Sequence, residues 1–587
     1  MKKHYETHVE DTDKLISVAG PVLDYKSWYE QYRKLMEEQA QRKYGLYTPT
    51  SEGDDDDFPS ITGMIARYSA LDLTNEQMKE NPVWVDKTGN GHDLQMKNFA
   101  WKEGSGISDV YPGALVFDGV DDYGVCDNFP ILTKEKGYTV VALRQWIEEK
   151  NSITALVSNS KNWNRDGAFV FEYNNLENNY PNLEISFGSN TNLGREKSSF
   201  TYQTSKLYNG KEIKFGEFLG SDKLIVAKAN ENLSPCSNVA IWELVFLDHD
   251  ATEEELTKIK DYFVKTYPWL FPYQAWTVTG KTNEDKDRAT IANITGNGNN
   301  LVLSNFGFAE GSGYGLYAEN YAGGRWVKAT NRADITWTSY SVNITSVKVA
   351  STQLYYQSYP EQPSFTVPSY KIKVYGLKDG QTLSYKQVTS EGQQIYKISE
   401  DGIYTLPSFL FKANGDWYGF TLDKIQETCD ITIEQIPEYE GYLVTDGVDD
   451  KITSSTFEMG NDWTVIGDWE LINTGKNDNA GIVKFNSIVI YNYNPILINI
   501  KNGRNNLIPD QNTVNAICSD GRIYSKDWKE SIYNEETEST SKNFLTIGYS
   551  GNAYTKIAFK NLAIYPTVLS REDCIKAYNY LQTLKAK

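Results

Sequence analysis

The chain has few of the features that mark a metal site, a disulfide-bonded scaffold or a membrane protein. Its 587 residues include five cysteines, and these are scattered without a CxxC pair. Such an odd, dispersed set excludes a disulfide framework and a zinc-ribbon type of site, and it predicts folding in a reducing cytoplasm. No run of roughly 18 apolar residues occurs, so no membrane-spanning helix is predicted.

Positive charge is in short supply. The 58 Lys and Arg residues face 78 Asp and Glu residues, which gives a formal net charge of −20. Because phosphates and anionic headgroups repel such a chain, we expect it to bind no nucleic acid and to insert into no membrane. The N-terminal segment carries basic residues but no apolar stretch, so we expect synthesis in the cytoplasm without a signal peptide.

Aromatic residues, in contrast, are abundant. The sequence contains 41 Tyr, 23 Phe and 14 Trp, which together make up 13% of the chain. Runs in which apolar and polar residues alternate, such as NLEISFGS and GIVKFNSIVIYNY, follow one another with turn residues between them. Alternation with period two is typical of strands with one buried face, and aromatic side chains suit such strands. The sequence therefore predicts an all-β protein.

Two segments of the chain repeat each other. Residues 86–106 and 293–313 align without gaps at an offset of 207, and 11 of the 21 aligned residues are identical. The pentapeptide D-G-V-D-D occurs at 118–122 and again at 446–450, an offset of 328. The difference between the offsets places 121 additional residues inside the second copy.

A third repeated block closes each copy with a strand and a short helix. Residues 239–263 align with 557–581, and Thr252 and Ser570 are the predicted helix N-caps, each with an acidic residue three positions later. An exposed loop tolerates the insertion of a whole domain. The predicted domains are 1–60, an N-terminal helical arm with an acidic linker; 61–273, the first copy; 274–313 with 440–587, the second copy; and 314–439, the insertion.

The three repeated blocks together resemble a known type of domain. The T-G-N-G turns at 88–91 and 295–298, the two D-G-V-D-D segments and the closing strand and helix are similar to those of LamG-like, concanavalin-A-like jelly-roll domains. This resemblance covers both copies and implies tandem jelly-roll sandwiches, the second of which is interrupted by the insertion. Domains of this type include lectin-like binding modules, glycan hydrolases and structural modules, so the resemblance leaves the function open.

The insertion has a strand pattern of its own. In YKIKVY, residues 370–375, apolar and polar side chains alternate, and turn residues follow at 378–380 and 401–402. Short alternating strands with such turns predict an immunoglobulin-like β-sandwich.

No catalytic constellation is recognisable. The four histidines occur without a triad pattern, and no GxSxG, HExxH, EF-hand or phosphate-loop motif is present. A retaining glycoside hydrolase needs two carboxyl groups about 5 Å apart across the sugar. Asp468 and Glu470 lie on one predicted strand without a third carboxylate, and we interpret them as structural. We predict that the chain is not an enzyme and that it needs no cofactor.

The carboxylates of the two D-G-V-D-D segments have two interpretations. The first Asp and the Gly favour a turn, and the remaining Asp side chains can accept hydrogen bonds from backbone groups. A calcium ion, which takes several oxygen ligands, is the alternative, and we favour the structural interpretation. The carboxylates concerned are those of Asp118, Asp121, Asp122, Asp446, Asp449 and Asp450.

The N-terminal arm is predicted to contain an amphipathic helix in residues 27–45. Four residues share one face of this helix, namely Trp28, Tyr32, Leu35 and Met36. The helix either packs on the first sandwich or serves as an attachment and oligomerisation segment.

Three aromatic residues in predicted loops are candidates for stacking on sugar rings. They are Trp163, Tyr173 and Tyr180. Packing against the sandwich is the alternative for each of them.

These observations favour a phage virion structural protein of head- or tail-fibre type that attaches to host-surface polysaccharide. Its other partners would be virion proteins, bound through the arm, and further copies of the chain, since we expect a homo-oligomer and fibres are typically trimers. Two alternatives stay open: a bacterial surface or secreted glycan-binding protein, and a purely architectural virion protein without a ligand.

Overall fold

Most of the regular structure in this chain is β-strand, as the alternation predicts. Apart from residues 57–60, the residues described belong to one unit, Ile61–Lys587. A computed structural model describes residues 57–132, 136–148, 154–159, 170–172, 198–212, 221–229, 235–309, 311–328, 331–358, 363–412, 415–423, 425, 428–458, 460–472, 481–485, 488–491, 497–500, 504–507, 514–532, 545–550 and 553–586.

The strands of the described residues fall into three groups along the chain. The first group is β1 (Met64–Ser69), β2 (Val83–Trp84), β3 (Leu94–Lys97), β4 (Gly106–Ser108), β5 (Ala114–Asp118), β6 (Tyr123–Cys126), β7 (Thr139–Glu148), β8 (Val157–Ser158), β9 (Val170–Phe171), β10 (Phe200–Thr204), β11 (Leu207–Tyr208), β12 (Lys211–Glu212), β13 (Leu224–Val226) and β14 (Asn238–Leu247). The second group begins with β15 (Gln274–Thr277), β16 (Thr290–Ile291), β17 (Leu301–Ser304) and β18 (Gly313–Leu316).

A third group of strands interrupts the second. It comprises β19 (Trp326–Val327), β20 (Ala333–Trp337), β21 (Ser341–Val347), β22 (Thr352–Gln357), β23 (Phe365–Val367), β24 (Tyr370–Tyr375), β25 (Leu383–Thr389), β26 (Gly392–Ile398), β27 (Gly402–Leu406), β28 (Phe409–Phe411), β29 (Trp417–Leu422) and β30 (Thr428–Ile436). The second group then resumes with β31 (Glu438–Val444), β32 (Lys451–Thr453), β33 (Thr464–Leu471), β34 (Gly481–Phe485), β35 (Ile488–Tyr491), β36 (Leu497–Ile500), β37 (Arg504–Leu507), β38 (Val514–Cys518), β39 (Arg522–Ser525), β40 (Glu530–Ile532), β41 (Leu545–Ile547), β42 (Tyr549–Ser550), β43 (Ala553–Tyr554) and β44 (Ile557–Tyr565).

The first sandwich packs one sheet of order β12-β11-β10-β7-β14-β5-β4, with β1 also paired to β14, on a second sheet of order β2-β3-β6-β13-β8-β9. Side chains from both sheets share one core, among them Phe117 and Leu244 of the first sheet and Leu94 and Val226 of the second. Because successive side chains of a strand point to opposite faces, β3 buries Leu94 and Met96 in the core and exposes Gln95 and Lys97.

The second sandwich repeats this arrangement. One sheet has the order β18-β31-β44-β33-β38-β39-β40, with β15 also paired to β44, and the other has the order β16-β17-β32-β41-β34-β35-β36-β37. Strands on both sides of the third group therefore lie in the same two sheets, and β18 pairs directly with β31. The strand pairing is observed, whereas the exact domain limits stay predictions.

The third group forms two five-stranded sheets around their own core, with orders β19-β22-β29-β25-β26 and β20-β21-β30-β24-β27. In β24 the side chains alternate between buried and exposed, as its sequence predicts. The segment that enters the insertion is joined to the segment that leaves it through Gln435. Its side chain accepts from the Glu319 N–H at 3.1 Å and donates to the Glu319 carbonyl at 2.8 Å. The all-β class is confirmed, and the immunoglobulin-like type of this insertion stays a prediction.

Three α-helices and one 3-10 helix lie in the described residues: α1 (Asn75–Glu80), α2 (Glu253–Thr266), the 3-10 helix Pro268–Leu270 and α3 (Arg571–Gln582). The predicted N-caps are confirmed, since Thr252 accepts from the Glu255 N–H in a full capping box and Ser570 accepts from the Asp573 N–H. None of these helices is long and apolar enough to cross a bilayer.

Helix α2 covers a buried ion pair on the outer face of the first sheet. Arg67 of β1 donates to Glu243 of β14 through Nε at 3.0 Å and Nη2 at 3.1 Å, and both side chains are almost fully buried. Tyr262 of α2 accepts from Arg67, and Tyr267 donates to Glu243 at 2.7 Å. Burial raises the pKa of Glu243, and the Arg67 charge opposes this shift. The helix is thus held by polar contacts that exclude water.

Helix α3 of the second sandwich also contacts the first sandwich. The hydroxyls of Tyr580 and Ser199 lie 3.0 Å apart, and the Tyr580 ring meets Trp242 edge-on with 6.4 Å between ring centroids. Nearby, Gln145 donates to the Thr583 hydroxyl at 3.0 Å. Because Tyr580 and Trp242 are buried, this junction is a packed interface rather than a flexible linkage.

The ion pair under α2 generates a stability prediction. Glu243→Ala leaves the Arg67 guanidinium buried without a counter-charge, and we expect a loss of about 3–5 kcal/mol in the free energy of unfolding. Urea unfolding followed by aromatic fluorescence measures it. The strand registers place Ala275 and Asn561 of the second sandwich at the corresponding positions, so the double variant Arg67→Ala, Glu243→Asn is the matched control.

The double variant should cost clearly less than Glu243→Ala, because it removes both charges together. Glu254→Ala, which removes an exposed pair with Lys258, should change stability much less than Glu243→Ala does. Equal losses for the single and double variants would show that the ion pair contributes nothing beyond packing.

Candidate functional site

The residues predicted to bind ligand lie outside the described residues. This holds for the candidate sugar-stacking residues Trp163, Tyr173 and Tyr180, and for the predicted arm helix with Trp28, Tyr32, Leu35 and Met36. Their roles stay predictions. The described residues offer three other places where polar chemistry is concentrated: the D-G-V-D-D segments, an open cleft in the first sandwich, and buried carboxylates.

The D-G-V-D-D segment is where the chain crosses between sheets. Strand β5 belongs to one sheet of the first sandwich and β6 to the other, so the segment spans the edge of the core. Asp118 Oδ1 accepts from the backbone N–H of Val120 at 2.7 Å, and more weakly from those of Asp121 and Asp122. Asp122 Oδ2 accepts from the Asp118 N–H at 3.0 Å. Two carboxylates therefore satisfy four backbone amides that have no strand partner.

The second sandwich reproduces this geometry at its own crossover between β31 and β32. Asp446 Oδ1 accepts from the Val448 N–H at 2.7 Å, and Asp450 Oδ2 accepts from the Asp446 N–H at 2.7 Å. A conserved Asn fixes each turn from outside, since Asn98 donates to the Asp121 carbonyl at 3.0 Å and Asn305 donates to the Asp449 carbonyl at 2.9 Å. The turn interpretation of the motif agrees with these contacts in both copies.

The last Asp of each segment is buried and has an unusual pKa. Burial raises the pKa of Asp122 to about 6 and that of Asp450 to about 7, while the backbone N–H groups of Asp118 and Asp446 oppose the shift. The second oxygen, Oδ1, has no backbone donor in either residue. The Ser105 hydroxyl acts on the Asp122 carboxyl group and lowers its pKa.

The carboxylates fit a calcium ion poorly. One oxygen from each of Asp118, Asp121 and Asp122 lies within 4.8 Å of the others, and the second copy matches this arrangement. Calcium takes six to eight oxygens, however, and Asp118 Oδ1 already accepts three amides.

An open cleft of about 390 Å³ lies at one end of the first sandwich. Its lining includes Asn90, His92, Pro130, Lys136 and Asp248, so it combines two charges of opposite sign with amide, imidazole and apolar surface. Asn90 is held in place because its Nδ2 donates to the Ile65 carbonyl at 2.9 Å. A mixed lining of this kind suits a hydrophilic ligand that also has an apolar face, as a sugar ring has.

The backbone carbonyl of His92 anchors a buried aromatic side chain, and the corresponding carbonyl does so in the second copy. The His92 carbonyl accepts a hydrogen bond from the Tyr68 hydroxyl, and in the second copy the Asn299 carbonyl accepts from Trp276 Nε1 at 2.9 Å. The turn therefore anchors the inward aromatic residue of the first strand in each sandwich, whichever side chain stands at this position.

His249 lies next to the cleft between two carboxylates. Its Nδ1 is 3.0 Å from Asp248 Oδ1 and its Nε2 is 3.2 Å from Glu255 Oε1. Burial lowers the pKa of His249, but the two carboxylates outweigh this effect and raise it overall. The raised pKa makes the cationic form of His249 more stable than that of a free imidazole.

The buried carboxylates of the first sandwich are engaged by cations and donors. Glu172 has a positive φ of 52° and accepts from Arg144 Nε at 2.7 Å, Trp146 Nε1 at 2.7 Å and Tyr208 at 3.1 Å. The sequence carried no signal for this cluster, because its members are far apart in the chain. In the second sandwich Asp468 accepts from Gln582 at 3.0 Å and from Tyr442 at 3.2 Å, consistent with a structural role.

Comparisons with known proteins add little to this geometry. No family model and no curated protein matches the sequence. Similar solved structures include a Trypanosoma rangeli sialidase in complex with 2,3-difluorosialic acid, which is 11% identical, with a TM-score of 0.23, over 40% of this chain and 39% of that one. This chain thus covers less than half the length of that sialidase.

Two further solved structures contain binding domains. The binding domain of botulinum neurotoxin DC, in complex with rat synaptotagmin II, is 8% identical, with a TM-score of 0.22, over 83% of this chain and 98% of that one. A tandem CBM22 domain of Paenibacillus barcinonensis Xyn10C is 8% identical, with a TM-score of 0.13, over 54% of this chain and 82% of that one. Scores this low support no statement about function.

The raised pKa values of the crossover carboxyls predict a pH dependence. In the unfolded chain these groups titrate near 3.9. Their stabilising contribution is therefore full below that pH and is lost as pH rises through the folded values of about 6 for Asp122 and about 7 for Asp450. The total change is roughly 3 kcal/mol for Asp122.

The measurement is the free energy of unfolding between pH 4 and 8 for the wild type and for Asp122→Asn combined with Asp450→Asn. Asn retains an acceptor for the backbone N–H but cannot ionise. We therefore expect the free energy of unfolding of the variant to change much less with pH than that of the wild type. Asp121→Asn, at an exposed position, should keep the wild-type slope. An unchanged slope in the double variant would assign the pH dependence to other groups.

The poor fit to calcium gives a second prediction. Millimolar Ca²⁺ should leave the melting temperature within about 1 °C of its value in a chelator, because a ligand stabilises the fold only if it binds the folded state. Thermal unfolding and titration calorimetry measure this. A Ca²⁺-dependent rise that disappears in Asp118→Asn would overturn the structural interpretation of the motif.

Proposed function

We propose that this chain is a non-enzymatic virion protein of phage head- or tail-fibre type whose sandwiches bind polysaccharide on the host surface. Other virion proteins, bound through residues 1–60, and further copies of the chain would be its structural partners. A trimer is the form we expect, because rotational symmetry presents several equivalent sites on one side of an assembly.

One observation carries the non-enzymatic part of the proposal. The side chains that recur in both sandwiches are those that hold the fold, such as Asn90 and Asn297, whose amides bind the first strand of each copy. Two other polar residues of the cleft lining do not recur: His92 aligns with Asn299, and Asp248 aligns with Pro566. Two copies that keep the residues holding the fold and differ in the residues around a cleft are typical of binding modules.

The chemistry of the described residues supports the same conclusion. A retaining glycoside hydrolase needs one free carboxylate and one protonated carboxyl group about 5 Å apart in an open site. The carboxylates of Glu172 and Glu243 are instead buried and bound to arginines. The cleft residues Lys136 and Asp248 do not supply such a pair.

Glycan binding is supported by the composition of the first sandwich. The cleft places a rigid Asn90, an imidazole and two charged side chains around a hydrophilic opening. The predicted stacking residues Trp163, Tyr173 and Tyr180 belong to the predicted first copy, residues 61–273. Individual sites of roughly millimolar affinity, about −4 kcal/mol each, suffice when several copies bind together.

The binding test uses the full chain on an array of bacterial surface polysaccharides, followed by calorimetry with the best oligosaccharide. We expect Trp163→Ala with Tyr173→Ala and Tyr180→Ala to weaken binding about tenfold or more, because aromatic anchors carry a large share of binding energy. Tyr375→Ala, an exposed aromatic on the insertion, is the matched control and should bind as the wild type does.

A second variant, Lys136→Ala with Asp248→Ala, separates the cleft from the aromatic loops. Loss of binding in this variant alone would place the sugar in the cleft. Absence of binding to any polysaccharide would favour the purely architectural alternative. Release of new reducing ends during incubation would contradict the non-enzymatic assignment.

The virion assignment is tested by mass spectrometry of purified phage particles from a lysate of the source culture. We expect peptides of this chain at a fixed copy number relative to the major capsid protein. Peptides confined to the host envelope or the medium would overturn this assignment and favour a bacterial glycan-binding protein.

A further inference from the structure

Two buried cysteines of the second sandwich meet beneath α3. Cys518 is the last residue of β38, Cys574 lies in the first turn of α3, and neither side chain is exposed to solvent. Each thiol shifts the pKa of the other, and Cys518 Sγ lies 3.7 Å from the Thr464 hydroxyl, which accepts from the Leu569 N–H just before α3. Helix α3 therefore rests on the sheet at a contact between two thiols.

Thr464 links the strand that carries Cys518 to the start of α3. Its hydroxyl oxygen lies 2.9 Å from the Thr567 carbonyl oxygen, and it accepts from the Leu569 N–H at 2.9 Å. The same oxygen lies 3.7 Å from Cys518 Sγ. Leu569 directly precedes Ser570, the N-cap of α3, so Thr464 holds the end of β38 against the start of the helix.

The first sandwich has the same anchor without the thiols. Thr139 donates to the His249 carbonyl at 2.8 Å and accepts from the Ala251 N–H at 2.7 Å. Strand pairing and the repeat alignment place Thr204 and Leu256 at the positions of the two cysteines. Both members of this one contact are therefore cysteine in the second sandwich and neither is in the first, which points to a role for the pair.

We propose that Cys518 and Cys574 form a disulfide when the chain enters an oxidising environment, and that this crosslink locks α3 onto its sheet. The Cys518 thiolate attacks a low-molecular-weight disulfide, such as oxidised glutathione, and one glutathione thiol leaves. The Cys574 thiolate then attacks the mixed disulfide and releases the second thiol. The two cysteines lose two protons and two electrons, which appear in the two glutathione thiols.

The electrostatics of the pair agree with this order of attack. The hydrogen bond with Cys574 lowers the pKa of Cys518, and the same bond together with burial raises the pKa of Cys574. The thiolate is the nucleophile in disulfide exchange, so the lowered pKa of Cys518 favours its attack, and the same crosslink forms whichever thiol attacks first. Because both thiols are buried, the reaction requires local opening of α3 and should take minutes to hours.

The crosslink would also affect the junction between the sandwiches. Tyr580 and Thr583, which contact the first sandwich, lie one to three turns after Cys574, at and just beyond the end of α3. Fixing the helix therefore fixes the surface that the first sandwich packs on. This inference does not depend on glycan binding or on a virion role.

The experiment uses the full chain, purified under reductant and then incubated with oxidised glutathione. Alkylation of remaining thiols, unfolding and peptide mass spectrometry should reveal one crosslinked pair of peptides, Cys518 with Cys574, lighter by two hydrogens. Cys126, Cys236 and Cys429 should remain alkylatable after unfolding. The melting temperature of the oxidised protein should rise by roughly 5 °C or more.

The matched control is the double variant Cys518→Thr, Cys574→Leu, which installs the residues of the first sandwich at both positions. It should fold and should show no difference in melting temperature between oxidising and reducing conditions. The inference fails if the wild type, folded and incubated overnight, forms no Cys518–Cys574 crosslink. A crosslink without any rise in melting temperature would refute the locking of α3.

Discussion

The structure depends on passing one chain between two packed sheets without leaving backbone amides unsatisfied at the edge of the core. A buried N–H without a partner costs free energy comparable to a lost hydrogen bond. In each sandwich two Asp side chains of the D-G-V-D-D segment accept four backbone amides, two of them partly buried and two exposed. The Gly is needed as well, since it has a φ of 72° at Gly119, where a Cβ would lie 2.7 Å from Asn238 Cβ. These requirements explain why the first Asp, the Gly and the last Asp of the pentapeptide are the same in both copies.

The two sandwiches share a frame but differ in what covers its outer face. Tyr262 and Tyr580 occupy corresponding positions on α2 and α3, yet Tyr262 accepts from Arg67 of its own sandwich and Tyr580 contacts Ser199 of the other. Where the first sandwich buries the Arg67–Glu243 pair, the second has Ala275 and Asn561. The closing helix thus serves one sandwich as an internal clamp and the other as an interface.

This difference bears on the proposed role. A packed junction through α3 fixes the two sandwiches relative to each other, and a rigid spacing raises the effective concentration of a second site once the first is occupied. The inserted sandwich leaves and re-enters the frame through the adjacent strands β18 and β31, clamped by Gln435. A chain built in this way presents several surfaces without requiring catalysis at any of them.

The alternation of apolar residues, the repeated blocks and the N-caps at Thr252 and Ser570 were readable in the amino-acid sequence, because each depends on neighbours within a few positions or on comparison of one copy with the other. Together they predicted the all-β class and the turn role of D-G-V-D-D. The sequence also showed that the two copies differ at Cys574, though not that Cys518 lies beside it.

The contacts of the candidate sites were decided by the tertiary structure. Arg144 and Glu172, Arg67 and Glu243, and the two cysteines are each separated by tens to hundreds of residues, so no local pattern pairs them. Only the strand order brings them together, and burial is the largest cause of the shift of the Asp122 and Asp450 pKa values toward neutrality. Long-range packing sets both the distance between such groups and the loss of water around them, and neither is a property of a sequence window.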